Sequence, residues 1–166
     1  QDMGVPLLIH QPSYSMINRW VEPELLPTLG KLGVGTICFS PLAQGMLSNK
    51  YIHGIPEGSR AGTKGTALSP SMLSDENIER IKGLHAIAQE RNQSLAQMAL
   101  AWVLRKEEVT SVLIGASSPA QIKENIAALD NLAFTDDENI GFEICAIFPI
   151  VQLALTTLCA FDNLNF

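Results

Sequence analysis

Apolar residues along this chain fall into short unbroken runs separated by stretches of helical spacing. The run Leu7-Leu8-Ile9 closes on His10 and Gln11, and residues 7–11 are predicted to form a parallel strand buried on both faces. Residues 22–31 set Leu25, Leu26 and Leu29 at helical spacing, and Gly30 and Gly33 supply the stop. The β-branched and aromatic residues at 35–39 predict a second strand. Between 40 and 70 the chain is rich in Gly, Pro, Ser and Lys without an apolar period, a long loop of the kind that usually carries function. Two helices follow, over 75–91 with Ile78, Ile81, Leu84 and Ile87 on one stripe, and over 94–106 with Leu95, Met98, Ala99, Trp102 and Val103 on another. Ser94 and Gln97 have the spacing of a capping box. Residues 109–114 predict a third buried strand, and Ser118-Pro119-Ala120-Gln121 opens a helix expected to turn Ile122, Ile126 and Leu129 inward.

Alternating strands and helices imply a parallel sheet of right-handed β-α-β units. Three strands cannot close a barrel, so the expectation is α/β architecture completed by something further. At 166 residues and 46% apolar content the chain can build one domain core. Its net charge of −6 argues against nucleic-acid and anionic-membrane partners, which require clustered Lys and Arg. Cys38, Cys145 and Cys159 are odd in number and lack metal-site spacing, so they read as reduced thiols of a cytoplasmic protein, with no metal. No signal peptide is visible, and the start at Gln1 fits a chain cut from something longer.

Gly115-Ala116-Ser117-Ser118 lies between a strand and a helix, where free backbone N–H groups and the helix dipole favour an anion; the same residues also read as a plain helix cap. Gln11-Pro12-Ser13-Tyr14-Ser15, Phe39-Ser40-Pro41-Leu42-Ala43-Gln44-Gly45, Gly54-Ile55-Pro56 with Ser59-Arg60-Ala61, and Gly115-Ala116-Ser117 through Glu124-Asn125 follow one another in order. Together they resemble the aldo-keto reductases over residues 5–138, with the nearest likeness to the family's bacterial glyceraldehyde-3-phosphate reductases and potassium-channel β subunits. The resemblance implies the C-terminal half of a (β/α)8 TIM barrel that binds NADP (NADPH) and serves reduction of a small carbonyl substrate.

Residue by residue, the resemblance makes Gln11 the partner of the nicotinamide carboxamide and Phe39 the aromatic that stacks on the nicotinamide ring. Ser40, Leu42, Gln44 and Gly45 resemble the turn around the pyrophosphate, with Lys50 and Arg60 as cationic contributors. Ser117, Gln121, Glu124 and Asn125 resemble the adenosine end. Gly58 departs from relatives with a Tyr there. Read without the resemblance, Phe39 is also a core aromatic, Lys50 and Arg60 are also solvated loop charges, and Gln121 and Glu124 are also residues suited to a first helical turn.

The family's catalytic Asp, Tyr, Lys and His belong to its N-terminal half, outside this sequence, so no catalytic residue is assigned and the isolated chain is expected to be inactive. Thr135 and Glu138 keep a capping box, and 1–138 is read as the barrel half. Residues 139–166 are read as a divergent apolar tail, either a replaced C-terminus such as a frameshift produces or a helix covering an open edge. Glu143, Pro149 and Gln152 interrupt the tail, which argues against a membrane span of roughly 20 apolar residues. Open barrel edges predict self-association. The alternatives to a reductase half are a non-catalytic NADP-binding module resembling a channel β subunit, and a degenerate truncated product.

Overall fold

A computed structural model of the chain describes residues 6–59, 61, 62, 68 and 70–147. Its centre is a parallel sheet ordered β1-β2-β3, formed by β1 (Ile9–His10), β2 (Gly35–Cys38) and β3 (Val109–Val112). β1 pairs with β2 through Ile9↔Gly35 and His10↔Thr36. β2 pairs with β3 from Thr36↔Val109 to Cys38↔Val112, with a register shift between Thr36 and Ile37. At that irregularity the Thr36 N–H donates to the Thr110 hydroxyl at 3.2 Å, so the ladder loses no backbone donor. The parallel pairing agrees with the sequence reading, although β1 and β3 are shorter than the apolar runs that announced them.

Strand burial on both faces is corrected. Leu7, Leu8, Ile9, Leu113 and Ile114 are exposed, because each outer strand pairs on one side only and no described element covers the remaining surface.

Helix boundaries follow local chemistry. α1 (Leu25–Leu32) buries Leu26 and Leu29 and ends at Gly33, whose φ of 66° is left-handed and whose N–H reaches Gly30 O and Leu29 O. α2 (Asp75–Glu90) is capped by Ser74 and buries Ile81, Leu84 and Ala88. α3 (Leu95–Leu104) carries a complete capping box between Ser94 and Gln97 and is buried along nearly all its length, including Trp102. α4 (Pro119–Ile126) has Pro at its start and Ser118 as its cap.

The stripe on α4 faces the other way from the expectation. Ile122, Ile126 and Leu129 are 46%, 56% and 56% exposed, while Asn125 and Ala128 are buried. An apolar stripe read from sequence gives a face but not which neighbour it meets; α4 packs on α3 through its other side.

Among its described residues the long loop holds no strand or α-helix, as expected, yet it contributes to the core. Met46, Leu47, Tyr51, Ile52, Ala61 and Leu68 all belong to the core. The first four are delivered in or just after short 3-10 turns at Ala43–Gly45 and Asn49–Tyr51 rather than by a regular period.

α5 (Asp136–Ile147) starts on the expected box: Glu138 N–H donates to Thr135 Oγ1 and Thr135 N–H to Glu138 Oε2. It runs through position 138 without a break and buries Phe142 edge-on against Phe134. The Arg91 guanidinium ties this region to the turn between α2 and α3. It donates to Gln93 Oε1 at 2.8 Å, Glu138 Oε2 at 2.7 Å and Asn131 O at 3.1 Å, and stacks over the Phe134 ring at 3.9 Å. The rest of the apolar tail lies outside the described residues. Among the described residues no helix is long and apolar enough to cross a membrane.

Candidate functional site

Because the three strands are parallel, their C-terminal ends open on the same side of the sheet. Sites of β/α barrels form at this side, from the loops that follow the strands. Gln11 leaves β1 with an exposed side chain. Beyond the strand ends the chain from Pro12 to Tyr14 keeps company with Phe39: Phe39 N–H donates to Pro12 O at 3.0 Å, and Tyr14 N–H donates to Phe39 O at 3.2 Å. The main chain of Phe39 is thus held on both polar groups, and its ring stands 40% exposed at the rim.

The segment that clamps Phe39 is itself anchored. Tyr14 Oη donates to Glu22 Oε1 at 2.5 Å and accepts from Arg105 at 3.1 Å; Arg105 also reaches Glu22 Oε1 and lies 3.5 Å over the Trp102 ring. Arg19 holds the second Glu22 oxygen. Burial pushes the Glu22 carboxyl up, but the bonds from Arg19, Tyr14 and Arg105 outweigh it and hold the group below the usual carboxylate range. Burial and the bond to Glu22 raise the Tyr14 phenol, so it stays a proton-bearing anchor. Sequence reasoning named the Gln-Pro-Ser-Tyr motif but missed this anchoring; the signal available was a Tyr three residues past an apolar run's polar end, with Arg19 and Glu22 just beyond.

After Phe39 the backbone takes an unusual path. Ser40, Ala43 and Gln44 have φ of 54°, 47° and 61°, left-handed values for residues bearing a Cβ, and Gly45 follows at 97°. Such conformations cost about 1–3 kcal/mol each and cluster at ligand clamps. The turn is stitched by Gln44 Nε2 to Ser40 Oγ at 2.9 Å and by Ala43 and Gly45 N–H to Ser40 O and Leu42 O. Leu42 and Gln44 are half-buried, whereas Lys50 is fully exposed in the following turn. Arg60 lies outside the described residues. Cys38, next to Phe39, is fully buried, and burial pushes its thiol up to about 11, so it is protonated near neutral pH and no nucleophile.

Beyond the end of β3, Gly115, Ala116 and Ser117 are exposed and Ser118 is half-buried where the chain enters α4. Gln121 N–H donates to Ser118 Oγ at 3.3 Å, but the Gln121 side chain reaches Ser117 instead of Ser118: its Oε1 accepts from Ser117 N–H at 2.7 Å and Ser117 Oγ at 3.0 Å. Ser117, Gln121 and Glu124 therefore share one exposed surface. Asn125, one helical turn on from Gln121, is 9% exposed where that side of α4 becomes packed. The sequence-named residues thus divide into three groups on the rim: Gln11 with Phe39, the turn from Ser40 to Gly45, and Ser117 with Gln121 and Glu124.

Comparison with known proteins extends this geometry. The profile of the Aldo/keto reductase family matches residues 1–146. The L-glyceraldehyde 3-phosphate reductase of Escherichia coli O157:H7 is 54% identical over 138 residues, 81% of this chain and 40% of that protein. Its counterpart from Escherichia coli K12 is 53% identical over 142 residues, 83% of this chain and 41% of that one. The chain spans about two-fifths of the length of these curated relatives. Among solved structures, a holo aldo-keto reductase from Bacillus halodurans aligns with a TM-score of 0.65 at 24% identity, over 91% of this chain and 46% of that one. The glycerol dehydrogenase of Gluconobacter oxydans aligns with a TM-score of 0.70 at 20% identity, over 87% and 43%. The partial parallel sheet has the fold of part of such a (β/α)8 TIM barrel.

Proposed function

From the premise that this chain belongs to the aldo/keto reductase family, we propose that it is the cofactor-holding half of an NADPH-dependent reductase of small carbonyl compounds, with glyceraldehyde 3-phosphate the foremost candidate substrate. The observation that carries the reading is the convergence of Gln11, the exposed ring of Phe39 and the left-handed turn from Ser40 to Gly45 at one end of the parallel sheet. The 54% identity to a protein named for glyceraldehyde 3-phosphate supports the substrate.

The residues present fit a dinucleotide. Phe39 offers a partly exposed ring and Gln11 an exposed carboxamide at the same end of the sheet, and the turn at Ser40, Leu42, Gln44 and Gly45 offers small groups and backbone N–H to phosphate oxygens. Lys50, in the following turn, supplies positive charge to phosphate oxygens, and Arg60 is assigned the same role on its place in the sequence motif alone. Ser117, Gln121 and Glu124 offer polar atoms at the start of α4, with buried Asn125 shaping the helix behind them. When bound, the nicotinamide supplies a hydride for the carbonyl carbon. The residues of this chain orient the ring and hold the phosphates; none of them delivers a proton to the carbonyl oxygen.

The second reading, a non-catalytic NADP-binding module, draws on the commitment of the Tyr14 hydroxyl to Glu22 and Arg105. In either reading the protein is cytoplasmic, and a polypeptide of these residues alone self-associates through its open edges. Titration of the chain with NADPH and with NADH tests the proposal. Quenching of nucleotide fluorescence is expected to be weak for NADPH, weaker for NADH, and lost in Phe39→Ala. Absence of any binding by a folded chain would refute it.

A further inference from the structure

The Glu22 carboxylate joins three parts of the chain. Its Oε1 accepts from the Tyr14 hydroxyl at 2.5 Å and from Arg105 Nη2 at 3.1 Å, and its Oε2 accepts from Arg19 at 2.7 and 2.9 Å. Arg105 closes α3, so the segment after β1, the approach to α1 and the end of α3 all meet on this one group. Hydrogen bonds to an ionised acceptor are short and roughly twice as strong as neutral ones.

The Tyr14 ring is fully buried and tilts against Trp102 with 5.4 Å between centroids. Packing of this kind confines a ring to a slot but leaves it able to slide along its own plane. The bond to Glu22 fixes its depth, because a buried O–H donor left without an acceptor is unfavourable. Depth at Tyr14 is transmitted directly, since its N–H donates to Phe39 O at 3.2 Å. That carbonyl belongs to the peptide entering Ser40, the first of the left-handed residues, with φ of 54°. A shift of Tyr14 therefore moves the ring at position 39 and the start of the turn together.

We propose that Glu22 is a positioning residue of the nucleotide site: through the Tyr14 hydroxyl it sets where the Phe39 ring and the Ser40 peptide stand, and with them the grip on the nicotinamide end of the dinucleotide. The inference rests on the dinucleotide reading given above, but the placing of Phe39 is measured without any nucleotide.

Two variants of the chain test it. Glu22→Gln keeps the shape and removes the charge; Tyr14→Phe keeps the ring on Trp102 and the main-chain clamp, and removes only the hydroxyl. Amide exchange by NMR at Tyr14 and Phe39, whose N–H groups form the clamp, is expected to speed up in either variant by about 10-fold relative to amides of α2 and α4. The NADPH dissociation constant from fluorescence quenching should rise by about 10-fold in each single variant, and by about the same factor in the double variant, because both changes cut one path. Two independent losses would multiply to about 100-fold, and a general loss of stability would speed all amides alike. Unchanged exchange at Tyr14 and Phe39, native affinity in folded Tyr14→Phe, or multiplying effects would each overturn the inference. Should Glu22→Gln fail to fold, exchange and affinity in Tyr14→Phe decide the outcome. If the exchange differences appear but the native chain binds no NADPH, the placing of Phe39 by Glu22 stands and the dinucleotide reading fails.

Discussion

Replacing Arg91 by Ala should be the most damaging single change in the chain. The side chain is 3% exposed and its partner Glu138 20% exposed, so truncation leaves a part-buried carboxylate with the Thr135 N–H as its remaining partner. It also removes a donor from the Asn131 carbonyl, uncouples Gln93 and strips the cation from the Phe134 face. Removing one member of a buried pair costs about 3–5 kcal/mol, against a total stability of roughly 5–15 kcal/mol for a domain. With a urea slope of about 1–3 kcal/mol per molar, the midpoint should fall by roughly 2 M, measured by circular dichroism at matched protein concentration. Arg91→Lys should recover part of the loss, since an ammonium meets Glu138 but cannot span three acceptors.

Acidity supplies a second readout of the same pair. Burial raises the Glu138 carboxyl, yet the Thr135 N–H and the Arg91 guanidinium outweigh it and hold the group below its ordinary 4.5. A carboxyl depressed in the folded state contributes stability above its unfolded value and loses it as pH falls through the folded one. The gap between the native chain and Arg91→Ala should therefore narrow on acidification below about 4.5. A midpoint within a few tenths molar of the native value at neutral pH, or a gap that widens in acid, would refute the assignment.

Other outcomes are equally accessible. Ser94→Ala should destabilise the chain by about 1 kcal/mol and Ser94→Gly by only a few tenths, read from the same urea curves, because the α3 box loses its hydroxyl. Lys50→Ala and Arg60→Ala in a completed reductase should raise the NADPH dissociation constant without moving the cofactor-free melting temperature; the reverse pattern would make both residues structural. Purified chain mixed with NADPH and excess aldehyde should consume no cofactor and should elute larger than a monomer. Steady-state reduction by a monomer would show that groups within this chain suffice for proton delivery.

Where structure depends on neighbours in sequence, the chain was legible. Ser94 with Gln97 and Thr135 with Glu138 form the boxes their spacing announced, and the parallel order of the strands followed from their alternation with helices. What depends on distant neighbours was not. Ile122, Ile126 and Leu129 look the same in sequence whether they meet the chain's own sheet or another surface, and the packed side of α4 proved to carry Asn125 and Ala128. Met46, Leu47, Tyr51 and Ile52 reach the core from consecutive turns with no period to betray them. At the candidate site, Gln11 and Phe39 were named through their motifs, and the structure places both beyond the C-terminal ends of their strands. The left-handed backbone at Ser40, Ala43 and Gln44 had no glycine to announce it, and the Arg105 contact to Tyr14 spans 91 positions.

The double clamp on the main chain of Phe39 separates what holds position 39 from what is displayed there. Pro12 O accepts from its amide and Tyr14 N–H donates to its carbonyl without touching the identity of the side chain, so the rim offers an interchangeable socket. Tyr or Trp can be seated in it without renegotiating the backbone, which lets ring size and electron density vary across descendants of one scaffold. The same freedom makes Phe39→Trp a built-in optical reporter, its indole poised in a fixed frame where arriving molecules would alter its emission.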